Sequence, residues 1–155
     1  MSEKVARSDK LPTYELRQFG HSLPMEFLRA REAAMARFRP MLRNHGLTEQ
    51  QWRVVRVLAE FPEIDAGELA QRALLLAPSL SRIFQYLERE KLVRRSSDSQ
   101  DQRRSLFALT AKGQKLYQKV APESEAIYAQ IEKAFGSDQL KQLYELLYRF
   151  HESLE

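Results

Sequence analysis

The sequence predicts a mainly α (α+β) fold: a series of helices interrupted once by a short antiparallel hairpin. Three observations carry that prediction. Apolar residues recur at helical spacing through most of the 155 residues. Two capping-box patterns, Thr48-Glu49-Gln50-Gln51 and Asp65-Ala66-Gly67-Glu68, mark closely spaced helix starts. A single polar, arginine-rich turn at residues 97–104 separates two short runs of strand-forming character.

In chain order, residues 1–13 are polar and aperiodic and read as a flexible arm. Residues 14–46 are assigned to an N-terminal helical segment, with the helical pattern itself running from about Pro24 to Asn44. Its stripe comprises Leu23, Phe27, Ala30, Ala34, Phe38 and Met41, with Leu28, Met35 and Leu42 alongside. That stripe is too broad for one packing partner and implies burial on two sides, as at a subunit interface. Pro40 is expected to kink or end the helix, and Gly46 to close it.

Residues 47–110 form the next region. The Thr48 box opens a helix carrying Trp52, Val55, Leu58 and Ala59, which ends near Pro62. The Asp65 box opens a short helix through Leu69, Ala70 and Ala73. A third helix follows, with Pro78 in its first turn, where a missing N–H costs nothing. Here Leu80, Ile83, Phe84 and Leu87 fall at i, i+3, i+4, i+7 and define a face to bury. Arg82, Gln85, Tyr86 and Arg89 repeat the spacing on the opposite side, with Ser79 and Ser81 near the start. Arginine pairs with guanine, glutamine with adenine, and hydroxyls serve phosphates or either base, so this helix has the chemistry to read a major groove. A merely solvated face has the same stripe, and the flanking elements decide between the two.

Those elements are a second short helix before it and two strands after it. Leu92–Ser96 and Ser105–Leu109 read as strands, joined by a turn bearing Arg103 and Arg104. The arrangement is a winged helix-turn-helix, with arginines at the wing tip suited to a minor groove. Asp98 and Asp101 stand near where phosphates would lie, and their expected role is structural: holding an arginine and shaping the turn through Asx-type bonds. Residues 111–155 add two helices. Thr110 caps the first, marked by Leu116, Val120, Ile127, Ile131 and Phe135 with Pro122 inside; Gly136 and Ser137 break it. The last carries Leu140, Leu143, Leu147, Phe150 and Leu154. Seams of that length exceed what a winged helix needs, so N- and C-terminal helices are expected to build a homodimer.

Charge is distributed to match. Residues 77–104 hold seven basic against four acidic side chains, whereas residues 121–155 hold three basic against seven acidic. A basic centre beside an acidic tail points to one polyanion-binding region, with double-stranded DNA the partner expected. There are no cysteines, no apolar run of about 18 residues and no apolar signal segment; a soluble cytoplasmic protein without membrane contact is expected. An enzyme is disfavoured. The five glycines are scattered, no cysteine nucleophile exists, and His21, His45 and His151 lack metal-ligand spacing, so neither catalytic residues nor metal ligands are assigned. No cofactor is expected. A helical interaction protein using its acidic seam is the other class left open.

The chain resembles the MarR family of winged-helix transcriptional regulators over nearly its whole length. The segments that carry this are Glu68-Leu69-Ala70, Leu87-Glu88-Arg89-Glu90-Lys91-Leu92-Val93, and Asp98-Ser99-Gln100-Asp101-Gln102-Arg103-Arg104 running into Leu109-Thr110-Ala111-Lys112-Gly113. Within the family, Ser22–Glu32 and Leu47–Val54 resemble regulators of homoprotocatechuate degradation operons. The resemblance implies a dimeric repressor on a palindromic operator, released by a small aromatic acid such as a dihydroxyphenylacetate. It also implies that Arg103 is the characteristic wing arginine and Asp101 its partner. Two positions depart: Lys91 stands where the family usually has glycine, and Gln102 where the wing often has a basic residue.

An aromatic carboxylate needs a cation, a donor for any ring hydroxyl and an apolar slot. His21, Ser22, Arg29, Trp52 and Arg53 are the candidates, Ser22 and Arg29 sharing a helix face by their seven-residue separation. Core packing is the commoner role for such a tryptophan as Trp52, and pairing with Glu26, Glu32 or Glu49 would explain the arginines.

Overall fold

The computed structural model describes residues 19 and 22–155; the expected arm at residues 1–13 and His21 lie outside the described residues. The chain divides into two compact units, one through Ala34 and one from Met35 to Glu155. Helix α1 spans Leu23–Asn44, α2 Glu49–Glu60, α3 Ala66–Ala73, α4 Ala77–Arg89, α5 Ala111–Phe135 and α6 Ser137–Glu152. Strands β1 (Ile64–Asp65), β2 (Val93–Ser97) and β3 (Ser105–Leu109) form one antiparallel sheet in the order β1-β3-β2.

Both capping signals act, in different ways. Thr48 Oγ1 accepts from the Gln51 amide and Gln51 returns its side-chain oxygen to the Thr48 amide, completing the reciprocal box. Asp65 likewise accepts from the Glu68 amide at 2.9 Å, but Glu68 turns its own carboxylate to Arg72, one turn along α3. Pro40 does not end α1, which runs on to Asn44; only the last helical turn follows the proline.

Three helices end in the same way. After α1, the Leu47 amide donates to Leu42 O and Gly46 N to Arg43 O; after α3, Leu75 N reaches Ala70 O and Leu74 N Gln71 O; after α4, Leu92 N reaches Leu87 O and Lys91 N Glu88 O. Each is a Schellman turn, which puts one residue in the left-handed region. Glycine fills it once, at Gly46; Leu74 (φ 51°) and Lys91 (φ 59°) fill it with side chains present.

The core of the larger unit gathers around Leu42, Val54, Val55, Leu58, Leu69, Leu87 and Val120, all essentially inaccessible. Each such side chain contributes roughly 1.5–3 kcal/mol of transfer free energy. β3 lies central in the sheet, with Arg95 opposite Phe107 on the β2 side and Ile64 opposite it on the β1 side. Phe107 stacks on Phe84 of α4 with centroids 3.6 Å apart, fixing that helix against the sheet. The start of α5 is fastened to the end of α4. Thr110 N and Oγ1 donate to Leu92 O and Lys91 O, and a side chain at Gly113 would collide with the Leu92 carbonyl. That close approach is the physical content of the Leu-Thr-x-x-Gly pattern.

The expected seams are buried unevenly. In α1 only Phe38, Met41 and Leu42 are buried, while Leu23, Phe27 and Leu28 in the first unit are exposed. In α5 Val120 is buried and Leu116, Ile127 and Ile131 half-buried. α6 buries no residue, and Leu143, Tyr144, Leu146, Leu147 and Tyr148 are exposed along it.

Candidate nucleic-acid interface

Helix α4 separates as its two stripes require. Leu80, Ile83, Phe84 and Leu87 are buried, whereas Ser81, Arg82, Gln85 and Arg89 are exposed and Ser79 is half-buried. The helix opens after Leu76 with Pro78 in its first turn and no side-chain cap. Its first-turn amides and the positive end of its dipole lie beside Ser79, also in the first turn, an arrangement that favours a phosphate.

Tyr86 leaves the exposed stripe. It is half-buried against the core, and its hydroxyl donates to Gly46 O at 3.4 Å, tying α4 to the turn after α1. The Arg89 guanidinium lies 5.4 Å from the Tyr86 ring and 3.7 Å from Glu90, on the exposed surface at the helix end.

The wing turn is organised by its aspartates. Asp98 Oδ1 accepts from the Gln100 amide at 2.9 Å and Asp101 Oδ1 from the Arg103 amide at 3.0 Å, two Asx turns in succession. Arg104 N donates to Asp101 O and Asp98 N to Arg104 O, closing the tip. Arg103 and Arg104, adjacent in sequence, have different surroundings. Arg103 is exposed, with its backbone fixed by Asp101. Arg104 pairs with Asp65 and lies 3.7 Å from Asp98. That pairing holds the Asp65 carboxyl below its ordinary range and raises the Arg104 guanidinium above its own.

The effector candidates are dispersed. Ser22 and Arg29 belong to the first unit, where Arg29 pairs with Glu26 at 2.9 Å. In the second unit Trp52 is buried and stacks on Tyr117 of α5, centroids 5.8 Å apart. Arg53 points to the end of α3, donating to Ala73 O at 2.9 Å and Leu74 O at 3.4 Å. Sequence reasoning missed Arg56. It stands four residues after Trp52, hence on the same face of α2, and its guanidinium reaches the Tyr128 hydroxyl at 3.3 Å. Tyr128 in turn lies against Phe38 at 4.9 Å. Arg56 thus meets the Phe38–Tyr128 ring pair at the Tyr128 hydroxyl, while Trp52 and Tyr117 form a second ring pair between α2 and α5. The i+4 spacing from Trp52 was the available signal. A cavity of about 390 Å³ adjoins, lined by Arg53, Arg56, Val57, Glu60, Phe61 and Arg72, with Arg72 over the Phe61 ring at 4.0 Å.

The MarR family profile matches residues 45–104, from the turn before α2 to the wing tip. The homoprotocatechuate degradative operon repressor of Escherichia coli is 47% identical over 129 residues, spanning 83% of this chain and 87% of the relative. The chain belongs to the MarR family of transcriptional regulators. A second relative, the HTH-type transcriptional regulator FarR of Neisseria gonorrhoeae, is 41% identical over 126 residues, covering 81% of this chain and 86% of its own. Among solved structures, NadR in complex with 4-hydroxyphenylacetate superposes with a TM-score of 0.75 at 39% identity, covering 88% of this chain and 97% of NadR. These relatives are transcriptional regulators, and MarR regulators bind DNA. No helix among the described residues is long and apolar enough to cross a membrane.

Proposed function

We propose that this MarR-family regulator is a repressor of an aromatic-compound catabolic operon, bound as a homodimer to a palindromic operator and released by a small aromatic acid. The observation that carries the DNA half is the exposed Ser81-Arg82-Gln85 stripe on α4, set over four buried apolar residues. Arg82 and Gln85 read base edges, Ser79 and Ser81 meet phosphate at the helix start, Arg89 takes the flanking backbone, and Arg103 enters the minor groove. Tyr86 and Arg104 act inside the protein, holding α4 and the wing. Residues 47–110 act as the DNA-binding domain, with α1, inside residues 14–46, and α5 and α6, inside residues 111–155, supplying the dimer contacts. The exposed leucines and tyrosines of α6 support that assignment. Arg53 serves the end of α3, and Arg56 takes its place as the effector's cation, beside Trp52.

The aromatic-acid half is supported by two relatives: a homoprotocatechuate operon repressor by name, and NadR with 4-hydroxyphenylacetate bound. A guanidinium beside a phenol suits a hydroxyphenylacetate, whose carboxylate pairs with Arg56; Trp52, one turn back on the same face of α2, is the ring contact. The acid acts by binding more tightly to dimers whose wing spacing does not match successive major grooves. Arg56→Ala tests this. The variant is expected to keep operator affinity while needing far more hydroxyphenylacetate for release; unchanged release would remove Arg56 from the site. Arg29→Ala, in the first unit, tests the sequence-based candidate in the same assay.

A further inference from the structure

The charge pair between Asp65 and Arg104 joins two parts of the larger unit that nothing in the DNA-reading stripe requires to be joined. Asp65 ends β1, caps α3 and stands at the edge of the sheet, paired with Leu106 of β3. Its two carboxylate oxygens are divided between tasks: Oδ1 accepts the Glu68 amide at 2.9 Å, and Oδ2 receives Nε and Nη2 of Arg104. The Asp65 side chain is 17% exposed and that of Arg104 52%. Arg104 is also the residue through which the wing tip closes, its carbonyl taking the Asp98 amide and its amide the Asp101 carbonyl. Holding its side chain therefore holds the tip from which the adjacent Arg103 projects.

The location is unfavourable for a cation unless Asp65 is charged, because the α3 N-terminus carries positive partial charge. We propose that Asp65 is a positioning residue for the wing: it keeps Arg104 off the DNA and thereby sets the reach of Arg103. The proposal rests on the reading of this chain as a DNA-binding regulator with Arg103 at the minor groove. It makes a claim opposite to simple electrostatics. Removing a carboxylate beside a polyanion should tighten DNA binding by ordinary charge repulsion, and a freed Arg104 should add a phosphate contact. If Asp65 positions the wing, its neutralisation loosens binding instead.

Asp65→Asn is the test, because asparagine is as good a helix cap as aspartate and the fold of α3 is retained. Two readouts are taken on the full chain. The first needs no DNA: hydrogen–deuterium exchange of residues 97–105. Asp65→Asn and Arg104→Ala are both expected to speed exchange at the Asp98, Gln100, Arg103 and Arg104 amides by more than at α4, whose protection falls only by the shared loss of global stability. The second is operator affinity against salt. Both variants are expected to weaken binding about two- to fivefold, the range of an exposed pair, and the double variant no further than either alone. Arg104→Ala should leave the salt slope unchanged, whereas Arg103→Ala should lower it by about one. Tighter binding by Asp65→Asn, a lowered slope for Arg104→Ala, or unaltered wing exchange each overturns the proposal. A parent protein that binds no DNA refutes the underlying reading, and with it the claim on Arg103's reach; the exchange readout still decides whether Asp65 holds the wing.

Discussion

Lys91→Gly is expected to stabilise the protein, although it deletes a long side chain at the end of the recognition helix. Lys91 sits at φ 59°, where a Cβ crowds the following carbonyl. The left-handed region costs an ordinary residue roughly 1–2 kcal/mol. Glycine removes that strain but gives back about 0.4–1 kcal/mol through the greater freedom of its unfolded chain. Both backbone bonds at this position survive, since the Lys91 amide donates to Glu88 O at 2.9 Å and its carbonyl accepts from Thr110 Oγ1 at 2.7 Å. The side chain is exposed, so little packing is lost. The midpoints of those ranges leave a net gain of about 0.8 kcal/mol, or about 2–3 °C in Tm for a chain of this length. Thermal unfolding by circular dichroism, at fixed protein concentration because assembly shifts Tm, measures it. Lys91→Ala is the control: it removes the same charge and methylenes but keeps the Cβ. A Lys91→Gly protein no more stable than Lys91→Ala would refute the strain argument.

Three other outcomes are expected. Arg82→Ala should leave Tm unchanged and reduce discrimination between operator and one-base variants by about 1–3 kcal/mol, measured by competition titration. Leu87→Ala empties a fully buried site between α4 and the core and should cost about 2–5 kcal/mol in denaturant unfolding. Asp65, its carboxyl held below its ordinary 3.8 chiefly by the hydrogen bond from Arg104, stabilises the fold above that value and loses the contribution as pH falls through its lower folded one. Asp65→Asn should therefore unfold more easily than the parent near neutral pH, with the gap closing below about pH 4.

The helix boundaries were legible because the signals are local. Thr48, Asp65 and Thr110 announce helix starts through hydroxyl or carboxylate caps, and each accepts the expected amide. Helix ends were legible only where the residue matched the geometry. Gly46 marks its Schellman turn, Lys91 stands out as a departure from the family's glycine, and Leu74 gives no signal because its left-handed conformation goes with the packing of Leu75 and with Arg53 on the carbonyls. β1 escaped notice because two residues carry no periodicity; it exists through its pairing with β3. The same distinction governs the site. The Arg82 and Gln85 stripe follows from helical spacing alone. Tyr86 and Arg104 share that chemistry, but their partners, Gly46 and Asp65, are distant in sequence. Arg53 and Arg56 look alike on α2, and only the tertiary neighbours, the α3 carbonyls for one and Tyr128 for the other, tell them apart.

The most direct test of the central claim is an anisotropy titration on DNA from upstream of the gene, at two salt concentrations, with and without 4-hydroxyphenylacetate and 3,4-dihydroxyphenylacetate. Tight binding that weakens steeply with salt and is relieved by one of the two acids is the expected result. Tight binding that neither acid relieves would contradict the effector assignment, and no binding at low salt would contradict the operator-binding repressor itself.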